Sequence, residues 1–113
     1  MASTMPDPQQ YTIYFANLNP TRGSEIDKTR PVVVISVGEM NRHLETVVVC
    51  PLTTSLHPSW RSRIQIKCAD RDAEIAVDQI RTISKSRLGR EVDRLSSEVA
   101  SQLRRLITEM YGE

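Results

Sequence analysis

The side chains that could do chemistry in this sequence are few. Only two histidines, His43 and His57, are present to titrate near neutral pH. An imidazole pair could cut a phosphodiester by acid–base catalysis, but nothing in their spacing couples them, and a lone loop histidine is usually solvated. The chain has no G-x-x-x-x-G-K-[ST], H-E-x-x-H or G-x-S-x-G pattern and no paired-cysteine motif, which disfavours nucleotide hydrolysis and zinc chemistry. Cys50 and Cys68 sit in apolar, strand-like settings and read as buried free thiols. What remains is arginine, twelve of the fifteen cationic residues, whose planar fork matches phosphate oxygens and stacks on bases. Trp60 follows a loop-like Leu56–Ser59 run and precedes Arg61. Its ring could stack an unpaired base, or could lie over the core as a rim. Asp78 and Gln79 interrupt an apolar stretch, so they either read base edges or close an internal hydrogen-bond network.

These residues need a scaffold, and 113 residues allow one compact core. With 39% hydrophobic and 26% charged residues and a net charge of +1, the composition is that of a globular domain without a strong overall positive field. Any nucleic-acid site must therefore be a local patch. The longest apolar runs, Val32–Ile35 and Val47–Cys50, are too short to span a bilayer, and the start lacks a signal pattern, so a cytoplasmic protein with no membrane association is expected.

Residues 1–10, with two prolines and no periodicity, read as a flexible tail ahead of a single domain over 11–113. A first strand is expected over Tyr11–Leu18, then a long loop over Asn19–Thr29. The β-branched runs Pro31–Ser36 and Thr46–Leu52 suit strands covered on both faces. Arg61–Cys68 alternates, with Ile64, Ile66 and Cys68 inward and Arg63, Gln65 and Lys67 forming a positively charged outer face. Ala73–Ser84 again looks extended, with Ile75 and Val77 inward. Val99, Leu103, Leu106, Ile107 and Met110 fall at helical spacing behind a Ser96 N-cap, with Glu98 in the first turn. The pattern predicts a mainly β fold, a small curved sheet or partly open barrel with one C-terminal helix packed on it.

Three blocks carry a more specific signal. Asn19-Pro20-Thr21-Arg22-Gly23-Ser24-Glu25 runs through Arg30-Pro31 into the apolar Val32–Ser36; Pro51-Leu52-Thr53-Thr54-Ser55 ends a central strand; and Asp78-Gln79-Ile80-Arg81-Thr82-Ile83-Ser84-Lys85-Ser86-Arg87-Leu88 follows. In this order they resemble the signatures of the MazF/PemK/Kid family of toxin endoribonucleases, over roughly Tyr11–Met110. The resemblance implies an SH3-like, partly open barrel of the CcdB/Kid/MazF type. It also implies sequence-specific, metal-independent and ribosome-independent cleavage of single-stranded RNA, as an mRNA interferase without cofactor. By resemblance the catalytic arginine is Arg30 and the catalytic threonine Thr53. Glu25, Thr54, Ser55, Trp60, Asp78 and Gln79 are expected to bind substrate. A homodimer with RNA in a groove between subunits, neutralised by a cognate MazE-like antitoxin, is implied as well.

The chemistry of the residues is compatible with that transfer. RNA carries its own nucleophile, the 2′-hydroxyl, so the protein has only to orient the strand, stabilise charge on the phosphorane-like transition state and manage two protons. Arg30 supplies fork donors, and Pro31 biases it to an extended backbone. Because a guanidinium keeps its proton, electrostatics suits Arg30 better than a general-base role. The Thr53 hydroxyl can bond a phosphate oxygen or the 2′-hydroxyl, or else satisfy the backbone of a turn. The sequence departs from the pattern at Tyr11-Thr12, where a Gly-Asp pair is usual, and at Ser24 and Ala76, where Kid-type members carry a histidine and an arginine. A CcdB-like gyrase poison of the same fold would end in Trp-Gly-Ile, whereas this chain ends Met110-Tyr111-Gly112-Glu113. A non-catalytic SH3-like binding module would need no proximity of Arg30 to Thr53.

Overall fold

The computed structural model describes residues 7–19, 23 and 28–112. Strands β1 (Thr12–Asn17), β2 (Thr29–Val34) and β3 (Thr46–Thr53) form the centre, with a short helix α1 (Gly38–His43) between β2 and β3. A hairpin of β4 (Arg63–Cys68) and β5 (Arg71–Ala76) follows, then a 3-10 turn at Val77–Gln79, β6 (Arg81–Ser84), β7 (Leu88–Arg94) and the C-terminal helix α2 (Ser97–Tyr111). The sheet order is β4-β5-β3-β2-β1-β7, with β6 paired to β3 off this path.

β3 is the hinge of this curvature. Its first half pairs with β6 up to Val49–Arg81, and its end pairs with β5 from Leu52–Ile75. Pro51, which has no N–H to give a ladder, stands where the strand changes partner. The β-branched runs are buried on both faces, as their composition predicts. Val33, Cys50 and Leu52 join Ile13, Ile64 and Ile75 in one core, while Val32, Val34, Val47 and Val49 join Ala16, Leu18 and Ile83 in another.

Helix α2 covers the first core, with Leu103 fully buried and Val99, Leu106 and Ile107 packed beside it. Ser96 caps it as expected, its hydroxyl accepting from the Val99 N–H at 3.2 Å. Met110, expected in the core stripe, is 36% exposed. The helix end is instead pinned by Tyr111, whose hydroxyl donates to the Val77 carbonyl at 2.9 Å, and this fixes the turn that carries Asp78 and Gln79.

Two expectations need correction. The segment Ala73–Ser84 is not one extended stretch, because Asp78-Gln79 break it into β5, a 3-10 turn and β6. Residues 7–10 are tied down: Pro8 is buried and its carbonyl accepts from Asn41 Nδ2 at 2.8 Å, while Gln10 Nε2 donates to the Ile35 carbonyl at 3.0 Å. Within α1, Asn41 is fully buried, bonded to Ser36 and Pro8. No helix among the described residues is long and apolar enough to cross a membrane.

Candidate active site

The sheet register brings the two principal candidates together. β2 and β3 pair as Val34–Val49, Val33–Cys50 and Val32–Pro51; the same antiparallel register carried two residues further sets Arg30 opposite Thr53. Thr53 in turn faces Glu74 on β5, and Glu74 faces Gln65 on β4. Arg30, Thr53, Glu74 and Gln65 therefore form one row across the sheet.

Arg30 is placed by the stem of the preceding loop. The Leu18 N–H donates to the Lys28 carbonyl at 3.1 Å, and the Lys28 N–H to Asn19 Oδ1 at 3.1 Å. Lys28 itself is left-handed, with φ 68°, which turns the chain into β2. Arg81 and Arg87 brace that stem through the carbonyls of Leu18, Asn17 and Asn19.

Two cavities meet at Thr53. The first, about 220 Å³, is walled by Arg30, Thr53, Thr54, Phe15, Leu52 and Arg71 among others. The second, about 410 Å³, is walled by Thr53, Ser55, His57, Trp60, Arg63, Asp78 and Gln79. Arg30 and Thr53 thus share one cavity, and Ser55, Trp60, Asp78 and Gln79 share the next. Glu25 and Ser24 lie outside the described residues. Thr53 is nearly buried, and its Oγ1 accepts from the Ser55 N–H at 3.0 Å, the turn role open to it from sequence; an accepting hydroxyl still has its own proton to donate.

The second cavity is built around a residue that sequence reading passed over. Glu74 is completely buried. Its carboxylate accepts from the His57 N–H at 3.0 and 2.9 Å, from Arg63 Nη1 at 2.8 Å and from Gln65 Nε2 at 2.6 Å. Burial alone would raise this carboxyl, but the hydrogen bonds from Gln65, His57 and Arg63 hold it below the usual carboxylate range. Asp78 accepts from Arg63 Nε at 2.8 Å. Burial opposes its charge too, and the bonds from Arg63 and Ser62 overcome this and lower it. Arg63, pulled down by burial, is raised on balance by its two carboxylate partners.

Arg63 therefore does not belong to an open positive face on β4, as its alternation suggested. Its side chain is only 6% exposed, because it neutralises a buried glutamate. The network also organises the exposed loop above it. Trp60, 46% exposed, stacks on His57 with centroids 3.9 Å apart and planes at 10°, and the Arg63 guanidinium lies 4.7 Å from its ring. The ring is neither a core rim nor a bare platform. His43 ends α1 and lines neither cavity, so the two histidines are not brought to one site. Cys50 is buried in the first core, its thiol pushed up to about 12 by burial and by the charge of Asp78. Among the described residues no group of three His, Cys, Asp or Glu side chains is arranged to hold a metal ion.

A phosphate-sized anion would meet Arg30 and a hydroxyl at the first cavity, with polar groups continuing into the second. Residues 9–111 match the family model of the PemK-like, MazF-like toxin of type II toxin–antitoxin systems. The chain belongs to this toxin family. It is 31% identical over 105 residues to the endoribonuclease MazF of Staphylococcus saprophyticus, covering 88% of each chain. It is 33% identical over 96 residues to the endoribonuclease EndoA of Bacillus subtilis, covering 80% of this chain and 83% of that one. Among solved structures, MazF of Deinococcus radiodurans superposes with a TM-score of 0.82 at 19% identity, over 95% of this chain and 98% of that one. A mycobacterial endoribonuclease in complex with its cognate antitoxin superposes with a TM-score of 0.78 at 20% identity, over 93% and 95% of the two chains. The fold is thus the MazF half-barrel that the three sequence blocks implied, and these relatives are MazF-type ribonucleases, not gyrase poisons.

Proposed function

We propose that this toxin is an endoribonuclease that cleaves single-stranded RNA at the cavity shared by Arg30 and Thr53, without a metal ion, a cofactor or the ribosome. The observation that carries the reading is the approach of one guanidinium and one strand-end hydroxyl across β2 and β3. In the reaction the 2′-oxygen attacks the adjacent phosphorus while the bond to the 5′-oxygen breaks. One proton leaves the 2′-hydroxyl and one is taken up by the 5′-oxygen, so the step balances without water. The Arg30 fork spans the non-bridging oxygens as their charge grows, and the Thr53 hydroxyl orients the phosphate or the 2′-hydroxyl. The products are a 2′,3′-cyclic phosphate and a 5′-hydroxyl.

Thr54, Ser55, Trp60, Asp78 and Gln79, with Glu25 from the preceding loop, are assigned to the strand on either side of the scissile bond. The working unit is a homodimer of one domain per chain, acting on messages in the cytoplasm and silenced by a MazE-like antitoxin laid over the RNA groove. The structural neighbour solved in complex with its cognate antitoxin supports that partnership.

The test is cleavage of a long RNA by pure protein in excess chelator, with the ends mapped. A 5′-phosphate, or loss of activity in chelator, contradicts the proposal. Arg30→Ala and Thr53→Ala should each lower the cleavage rate by roughly 10²–10³-fold, the usual cost of one transition-state donor. Cleavage by Arg30→Ala at the parental rate would overturn the assignment.

A further inference from the structure

Arg71 stands on the wall of the first cavity beside Arg30 and Thr53, and no sequence block singles it out. It follows a tight hairpin turn in which Ala69 and Asp70 both have positive φ, 49° and 66°, closed by the Cys68–Arg71 pair. Turns of this kind favour Asn-Gly, because a left-handed Cβ residue is disfavoured, and they persist where the surroundings hold them.

The hold comes from the far edge of the sheet. The Ala69 N–H donates to Asp93 Oδ2 at 2.9 Å, and the Arg94 N–H donates to Asp93 Oδ1 at 2.8 Å. Asp93 is on β7, and β7 and the β4–β5 hairpin are opposite ends of the strand order. The bond therefore closes the open side of the barrel across the cavity, with Val92 on one bank and Ala69 and Arg71 on the other. Those two backbone N–H groups also keep the Asp93 carboxyl below its ordinary range, so the latch is charged.

Arg71 forms no ion pair among the described residues. Its neighbour Asp72 is taken by Lys67 at 3.1 Å, whereas Arg63, Arg61 and Arg94 each pair with a carboxylate. Two guanidinium groups, two threonine hydroxyls and an apolar floor from Phe15, Leu52 and Ala73 suit a nucleotide, with charge for phosphate and apolar surface for the base.

We propose that Arg71 binds the RNA phosphate neighbouring the scissile one, and that Asp93 is a positioning residue that holds Arg71 there by latching the strained turn. This rests on the Arg30–Thr53 cavity being the nuclease site.

The experiment measures binding of a 2′-O-methylated single strand of the mapped cleavage sequence, over a range of salt, to the full chain and its variants. Arg71→Gln should weaken binding about ten-fold at low salt and reduce the log–log salt slope by about 0.7, the share of one phosphate contact on a single strand. Arg71→Lys should keep the slope. Asp93→Ala gives the sharper test, since simple charge removal would tighten binding to a polyanion, whereas loss of the latch weakens it and lowers the slope as Arg71→Gln does. Parental affinity and slope in Arg71→Gln, or tighter binding by Asp93→Ala, overturns the proposal. If the unaltered protein fails to cut RNA, the nuclease reading falls and this proposal with it. If it cuts and Arg71→Gln binds as the parent does, only the role of Arg71 falls.

Discussion

The two cavities that meet at Thr53 hold their charges in opposite ways. Around Glu74, each charged partner already has an answer: Arg63 bridges Glu74 and Asp78, and the His57 N–H and Gln65 close the remaining bonds of the buried carboxylate. Around Arg30, the described wall carries a second arginine, Arg71, which has no ion pair among the described residues. A saturated network gives rigidity and little affinity for a new anion; a wall with two guanidinium groups attracts one. The arrangement teaches a division of labour, in which the buried pair shapes the Ser55–Ser62 loop and the neighbouring cavity is the one proposed to meet the phosphate.

The largest expected effect comes from breaking the saturated side. Glu74→Ala leaves Arg63 without its buried partner, and removing one member of such a pair costs about 3–5 kcal/mol. Urea unfolding should show that loss, with the Trp60 fluorescence reporting a disturbed stack on His57. A loss under about 1 kcal/mol would mean that the network is decorative.

Arg30→Ala reverses the pattern. Half-buried at the cavity mouth, it should change stability by less than about 1 kcal/mol, although cleavage falls by orders of magnitude. If the same urea titration shows Arg30→Ala as damaging as Glu74→Ala, the two regions are not distinct in kind.

This contrast was only partly legible in the sequence. The β-branched runs of β2 and β3, the Ser96 cap and the stripe of α2 declare themselves by local pattern, and the blocks around Arg30 and Thr53 point to the candidate site. β7 was missed because an edge strand with Gly89, Arg90, Glu91, Asp93 and Arg94 has almost no apolar alternation. The six residues of α1 are too few for a helical period to show. Glu74 falls at an outward position between Ala73 and Ile75, and only the folding of a distant loop over it makes it buried. One signal was available, an acid whose cross-strand partner is Gln65, with Arg63 diagonal to it on the preceding strand. Arg71 gave none, since its turn lacks the Gly or Asn that marks such geometry.

A smaller effect is expected at Trp60. A free aromatic platform contributes about 1–3 kcal/mol per stacked base. Here His57 and Arg63 already contact the ring, so Trp60→Ala should weaken binding of the uncleavable strand by no more than about 1 kcal/mol, roughly five-fold. A loss of a hundred-fold would place the ring directly under a base, as a principal rather than a secondary contact to the strand.

Acid should separate the regions most finely. The Glu74 carboxyl is depressed in the folded chain, so its contribution is fully present above the unfolded value, near pH 4.3 for an ordinary glutamate, and is lost as pH falls through the lower folded value. Asp78 is shifted in the same direction. The stability gap between the parent and Glu74→Gln should therefore hold steady from about pH 7 to 5 and narrow below about pH 4. Arg71, on the wall of the other cavity, has no ion pair among the described residues, so the gap between the parent and Arg71→Gln should stay level across that range. Parallel melting curves for parent and Glu74→Gln down to about pH 3 would show that Glu74 titrates as an ordinary surface acid, and the contrast between the two cavities would then rest on geometry alone.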